Sequence, residues 1–469
     1  MRGQNGTWVG LDGRNLLLSK GTGVTSYGRT LAQILANNGY QAELLCDTPL
    51  AGAPAGRVAP GGNRALRSRL EMLLLGLRAF DRRDQAAELI GSDGASEKTS
   101  TDHGNFDRLR FASNVFLHAH IHFRIYGRPL GIGGAHPPDL MHWSFPLPMF
   151  FRGIPNVYTI HDLIPLTHPN LTRNPRRRFE RRLAGIMAKA HHIVTVSETA
   201  RRDIINLLGC AEDKVTNTSQ AVFFPTEIIE RAQSEIGDDL AKAVGLPVGG
   251  YFLCIGLIEP RKNIPRLIEA YLASGVRSPL VIAGPDGWKA AEALAKAAPH
   301  LVSPHAIRSG GGIATAPTPS IIPLGYLDRR VLISAIQGAK ALLFPSLAEG
   351  FGLPIVEAMA LGTPVMTSNL GATAEVAGDA ALLVDPFDIG DIARGIRELD
   401  ANAELRRDLI ACGKIRSRAF SLDSYSARMD QLYVKVLRET KPIGTIPRTS
   451  NIRPLAAAYP LAAGEAPIN

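Results

Sequence analysis

The chain has 469 residues, 45% of them hydrophobic, and a formal net charge of +9, which is more than one ordinary domain and ample for buried cores. No apolar run approaches the roughly 20 residues of a spanning helix, the first seven residues lack the apolar stretch of a secretory leader, and four widely spaced cysteines (Cys46, Cys210, Cys254, Cys412) read as free thiols of a cytoplasmic protein. The positive balance favours an anionic partner, a membrane surface or a phosphorylated ligand, and no nucleic-acid motif accompanies it.

In chain order, apolar runs at 15–18 and 42–46 predict strands flanking a helical pattern from 25 to 37. Residues 63–84 read as a basic amphipathic helix. Leu66, Leu70, Leu73, Leu74, Leu77 and Phe80 line one face, and Arg67, Arg78 and Arg82 stand among the arginines that ring it. Such a helix lies in an anionic membrane interface or packs its stripe on the domain; both readings stay open. His118, His120 and His122 alternate as on one face of a strand, a spacing that could hold a metal, but no Cys or carboxylate joins them and no metal site is assigned. Strands at 156–160 and 192–196 flank a helix at about 175–189, near whose start six arginines fall between Arg173 and Arg182. A polar helical stretch and the Gly249-Gly250 pair place a domain boundary within 222–250. Beyond it, strands at 251–256, 280–284, 321–325, 341–344, 364–367 and 381–384 alternate with helices at 264–273, 288–297, 329–339, 354–361 and 389–399. That alternation is the mark of a doubly wound α/β parallel sheet. Residues 302–320 read as an inserted surface loop, and the proline-bearing 441–469 as a flexible tail.

The most informative stretch is 344–357. Glu349 and Glu357 stand with seven residues between them, separated by Gly350, Phe351, Gly352, Leu353 and Pro354 among others. An apolar strand precedes them and a short helix follows, so Glu349 falls on the loop at a strand's carboxyl end and Glu357 on the helix. Open α/β sheets bind ligands at that edge, and Pro354 suits the first helical turn, where free amides make an anion site. Glu259-Pro260-Arg261-Lys262-Asn263 follows another strand of the same sheet. Arg261 offers a fork and Lys262 a point charge to a diphosphate, and Asn263 could cap the next helix. Gly21 and Gly23 precede the first long helix and permit close backbone approach. His161 and Asp162 end an apolar run, again at a strand's carboxyl end. Ser197 reads as a helix N-cap.

The run from Phe344 to Val365 resembles retaining glycosyltransferases of family 4 almost without a break, and Glu259 to Asn263 is similar to the same family's Glu-Pro-Arg-Lys-Asn element. Leu257 stands where many members carry an arginine, and Arg261 takes that place in this reading. The resemblance implies a GT-B fold: Rossmann-like domains over 1–225 and 226–420 facing across a cleft, with a helix over 421–440 crossing back to the first. It implies that the N-terminal domain binds the acceptor and the C-terminal domain a nucleotide-diphosphate sugar. Glu357 would grip the ribose and Glu349 the sugar hydroxyls, aided by Gly350, Phe351, Gly352 and Leu353. Arg261 and Lys262 would neutralise the diphosphate, His161 would lie by the transferred sugar, and the Gly21 to Gly23 loop would face the donor. No Asp-x-Asp motif is present, in keeping with a metal-free reaction without cofactor. The chain most resembles bacterial mannosyltransferases of polysaccharide assembly, which implies GDP-mannose, although relatives also use UDP-sugars, GDP-fucose and dTDP-rhamnose. Basic charge and the amphipathic helix suggest a polyprenyl-diphosphate-linked saccharide acceptor and a peripheral place on the inner face of the plasma membrane. Two other classes remain: a nicotinamide dehydrogenase, opposed by Ser26 where a third glycine of a dinucleotide fingerprint belongs, and a catalytically silent binding protein of the same fold, opposed by the intact Glu349, Glu357, Lys262 and His161.

Overall fold

The computed structural model describes residues 6–16, 23–47, 85–86, 88–90, 99–101, 104–303 and 319–439. Gly21, the expected amphipathic helix with Arg67, Arg78 and Arg82, most of the expected loop at 302–320 and the expected tail lie outside the described residues.

Two parallel sheets organise the chain. The first contains β1 (Trp8–Asp12), β2 (Gln41–Cys46), β3 (Glu88–Ile90), β4 (Arg108–Phe111), β5 (Leu140–Trp143), β6 (Asn156–Thr159), β7 (His192–Thr195) and β8 (Val215–Asn217). Their spatial order is β8-β7-β6-β5-β1-β2-β4-β3, with only β3 antiparallel. The second contains β9 (Phe252–Ile255), β10 (Leu280–Ala283), β11 (Ile321–Gly325), β12 (Ala341–Phe344), β13 (Val365–Ser368) and β14 (Leu382–Val384), in the order β11-β10-β9-β12-β13-β14. Both orders are doubly wound. The chain starts in the middle, runs to one edge, returns and fills the other side, which leaves a switch point at β1/β5 and another at β9/β12. Helices cover both faces, so β9, β10, β12 and β13 are buried at every position. That is why they read as unbroken apolar runs.

The helices that bear on function are α1 (Gly23–Asn37), α2 (Val115–Tyr126), α3 (Arg176–Met187), α4 (Glu198–Leu208), α5 (Gln233–Ala243), α6 (Ile264–Ser274), α7 (Arg329–Gln337), α8 (Leu353–Ala360) and α11 (Leu422–Arg438); α9 (Ile389–Ala401) and α10 (Ala403–Ser417) cover the second sheet. Just past the first sheet, Arg231 on the approach to α5 bonds Ser334 of α7 at 2.8 Å, and the buried Ile236 and Leu240 of α5 join the apolar core that includes α7. Helix α11, last in the described chain, lies against the first sheet. Tyr40 donates to Asp430 at 2.6 Å, Arg428 to the Thr218 carbonyl at 2.7 Å and Lys435 to the Asp213 carbonyl at 2.8 Å.

Three local expectations are corrected. The first strand is Trp8–Asp12; Asn15 and Leu16 lie in a turn. Gly10 hides that strand by breaking the apolar run, and the packing explains the glycine, since a Cβ there would fall 2.6 Å from Met141 Sδ on β5. The three histidines lie on the helix α2, not on a strand, so His120 does not share the face of His118 and His122. His122 Nδ1 meets the Arg128 carbonyl at 3.0 Å, and among the described residues no group of three His, Cys, Asp or Glu is placed to hold a metal. The helix expected at 288–297 is a short one, Ala290–Leu294, passing into a 3-10 turn, Ala295–His300, that contains Pro299.

Candidate functional site at the facing sheet edges

The loops after β9 and β12 diverge from the second sheet's switch point. At the end of β9 the backbone is pinched: Gly256 has φ 133° and Gly284, after β10, φ 156°. A Cβ on Gly284 would stand 2.0 Å from the Gly256 carbonyl oxygen, so only glycine fits there. Beyond this pinch Pro260–Lys262 makes one 3-10 turn, and Asn263 follows at φ 60°. Asn263 does not cap α6 with its side chain. Its amide instead donates to the carbonyls of Pro345 (3.1 Å) and Pro386 (2.7 Å), tying three loops together. Leu347 N adds a bond to the Arg261 carbonyl at 2.8 Å. The Glu349 loop is therefore fixed by the Arg261 loop before any side-chain charge is considered.

The charges then meet. Lys262 Nζ lies 2.5 Å from Glu349 Oε1, while the Arg261 guanidinium pairs with Glu349 Oε2 and with Glu259. Lys262 is only 7% exposed, and its ammonium sits 4.3 Å from the centre of the Phe344 ring. Burial pulls the Lys262 pKa down, with Glu349 opposing. For Glu349, burial pushes the carboxyl up, but Arg261 and Lys262 outweigh it and hold it below its usual value. Each Glu349 oxygen keeps a second lone pair, so a cation-bound carboxylate can still accept a hydroxyl. Gly352 takes φ 102°, and Pro354 stands in the first turn of α8. Phe351, buried, meets Phe420 edge-on at 5.3 Å. Glu357 is 7% exposed and accepts from Arg329 Nη1 at 2.8 Å. The sequence reading missed Arg329, because nothing in the spacing links the first residue of α7 to a glutamate on α8.

The first sheet faces this edge. His161 follows β6, and its Nε2 lies 2.9 Å from the Ser144 carbonyl, just past β5. Burial lowers its pKa to about 4, so the ring is neutral at ordinary pH. Burial raises the Asp162 carboxyl, which accepts from Ile164 N at 3.0 Å. The two edges touch directly: a Cβ on Gly350 would fall 2.4 Å from the His161 carbonyl oxygen and 3.1 Å from Asp162 Cβ. Gly350 is thus a contact glycine between the sheets. Ser197 caps α4, accepting from Ala200 N at 3.1 Å, and also donates to the Gly350 carbonyl at 2.8 Å. Nearby, Glu375 accepts from Glu198 N, Thr199 N and Thr199 Oγ1 at 2.7–2.8 Å, a carboxylate from the second sheet's side on the first turn of α4. Gly23 begins α1, and among the described residues nothing beyond its own neighbours and helix comes within 4 Å of where its Cβ would stand.

Beneath His161 lies a buried polar network that sequence reasoning did not find. His142 on β5 bonds Thr159 Oγ1 at 2.8 Å and Tyr433 of α11 at 2.7 Å. Thr159 also meets the Tyr27 hydroxyl at 2.8 Å. Burial drives His142 down to about 3. Asp12, at the end of β1, accepts from Ser144 N at 2.5 Å, and burial pushes it up to about 6.

Residues 100–217 match the family model Glycosyltransferase Family 4, and residues 317–416 match Glycosyl transferases group 1. The chain is 33% identical over 282 residues to the O-antigen chain mannosyltransferase B of Escherichia coli, covering 59% of this chain and 69% of that one. It is 30% identical over 294 residues to the serotype-specific mannosyltransferase WbdA of E. coli, spanning 58% of this chain but only 34% of that longer protein. Its fold is similar to that of HepE from Anabaena, solved with UDP and glucose, at a TM-score of 0.59 and 14% identity over 92% of this chain and 100% of that one.

Proposed function

We propose, from the premise that this chain belongs to glycosyltransferase family 4 and is a transferase of GT-B fold, that it moves mannose from GDP-mannose, with retention, onto a saccharide acceptor in polysaccharide assembly. The observation that carries the reading is the Arg261–Lys262–Glu349 cluster at the second sheet's switch point, brought against the His161 loop of the first sheet. The buried Lys262 and the half-buried Arg261 suit the charge that develops on a departing diphosphate, and fixed charges stabilise it without rearranging. Glu349, held on both oxygens, would accept sugar hydroxyls, and Glu357, braced by Arg329, those of a ribose. His161 would orient the sugar. The names of the relatives support mannose, and the complex of HepE supports a nucleotide sugar.

The same reading takes the reaction to be metal-free and without a cofactor, the C-terminal unit to hold the donor and the N-terminal unit the acceptor. A polyprenyl-diphosphate-linked acceptor and an anionic membrane surface are supported by the net charge and by Arg173, Arg176, Arg177, Arg178 and Arg181, all exposed around the start of α3. No described helix is long and apolar enough to cross a membrane.

The test is transfer or donor hydrolysis over a panel of GDP-, UDP- and dTDP-sugars, read by mass spectrometry with and without EDTA. Turnover of GDP-mannose in EDTA, with the product α-linked as in the donor, is expected. Turnover of another nucleotide sugar would replace the donor. Loss in EDTA restored by a divalent ion would overturn the metal-free reaction, and no turnover of any donor would favour a binding protein.

A further inference from the structure

His161 is held by residues that no motif announced. Asp12 and Ser144 close the two strands that flank the first sheet's switch point, and both are buried. Asp12 Oδ2 takes the Ser144 amide at 2.5 Å, and its other oxygen has no partner among the described residues. The Ser144 carbonyl in turn lies 2.9 Å from His161 Nε2. A carbonyl only accepts, so the imidazole proton must sit on Nε2, and Nδ1 is left as a bare lone pair. Tyr27, fixed through its hydroxyl to Thr159, meets the ring edge-on at 4.9 Å. Turning the ring over would set Cε1–H in place of the N–H at the Ser144 carbonyl, and the Nδ1–H tautomer would set a lone pair against it, so the Ser144 carbonyl selects both tautomer and orientation. Asp12 holds the amide of that same residue.

We propose that Asp12 is a positioning residue: by holding the Ser144 amide it fixes the Nε2–H form of His161 and presents Nδ1 to accept a hydroxyl of the transferred sugar. The inference rests on the reading that His161 lies beside that sugar. A simple loop tie would not need a carboxylate in a fully buried place. A group that must hold one residue rigidly beneath a reacting side chain gains from a charge-assisted bond.

Tautomers are read directly from long-range proton–nitrogen spectra of the full chain labelled with 15N-histidine, with His161 assigned by its loss in His161→Gln. The wild-type protein should show Nε2 protonated and Nδ1 bare. Asp12→Ala should mix the tautomers and lower kcat for transfer about tenfold, while KM for the nucleotide sugar moves by less than about twofold. Asp12→Asn keeps an acceptor oxygen and should restore the wild-type tautomer and most of kcat. An Nδ1–H form in the wild-type protein overturns the proposal, as does Asp12→Ala with wild-type tautomer and kcat. If Asp12→Ala does not fold, the wild-type and Asp12→Asn spectra still decide. Full transfer by His161→Gln would remove the reading of His161 at the sugar, and with it the purpose assigned to Asp12, whatever the spectra show.

Discussion

The two facing edges solve different problems with different chemistry. On the second sheet the polar groups are ionised and paired: Arg261, Lys262 and Glu259 around Glu349, and Arg329 on Glu357. On the first sheet they centre on neutral hydrogen-bonding groups: His142, Thr159, Tyr27, Tyr433 and His161. An ionised edge suits a ligand that arrives and leaves with charge. A neutral edge suits hydroxyls, which need direction more than field. The difference also governs cost. Arg261 and Lys262 hold the Glu349 carboxyl below its usual value, whereas buried neutral histidines make the first edge vulnerable to acid.

That vulnerability is the largest effect expected. His142 is held near pKa 3 in the fold but titrates near 6.5 when unfolded. Its stabilisation is therefore complete above pH 6.5 and is lost as pH falls toward 3, up to about 5 kcal/mol. His120, His161 and His192, each lowered to about 4 by burial, add to the same loss. Asp12, raised to about 6, acts in the opposite sense, with its contribution present at low pH and lost as pH rises through 6. Asp47 and Asp162, also raised by burial, act as Asp12 does, but His118, His122, His168 and His191 are lowered as well, which leaves a net loss in acid. Denaturant unfolding between pH 7.5 and 4.5 should show a steep fall, flattened in His142→Gln. Equal stability at both pH values would break the contrast between the edges.

Next in size is Glu349→Gln. It keeps the shape but removes the charge that both cations meet, and kcat for transfer should drop about a thousandfold, some 4 kcal/mol. Affinity for GDP should hold, because the cations remain. Calorimetry beside steady-state kinetics separates the two, and an unchanged kcat would take Glu349 out of the chemistry. Lys262→Ala should weaken GDP by about tenfold to a hundredfold and guanosine hardly at all, since one charge-assisted bond to phosphate is lost. Equal losses for both ligands would assign Lys262 to the fold alone. The smallest effect tests the seam between the edges. Ser197→Ala removes a helix cap and the bond to the Gly350 carbonyl, and should cost about 1 kcal/mol. A thermal midpoint matching the wild type would show that the seam does not depend on it.

What could be read from residues alone follows the same division. In the second half the sequence shows each strand as an apolar run, and two of these runs lead into the segments that carry the charged residues. Glu259 to Asn263 and Glu349 to Glu357 could therefore be placed at strand ends before their contacts were known. In the first half the signal is diluted. Gly10 and Asp12 disguise the first strand, whose glycine packs against Met141 and Pro138, far along the chain. The even spacing of His118, His120 and His122 suggests a strand and belongs to a helix. Asn263 reads as a cap because it precedes a helix, yet φ 60° turns its amide to two distant carbonyls.

By itself, then, the sequence determined the doubly wound α/β class and the place at strand ends of the carboxylates and cations of the second half and of His161, because each follows from chain-local spacing of apolar runs, glycines and charges. Only the tertiary structure decided that Arg329 braces Glu357, that Gly350 presses on the His161 carbonyl, and that Asp12 reaches His161 through Ser144. Those contacts join residues brought together by strand order and by one sheet facing another, and no local pattern encodes either.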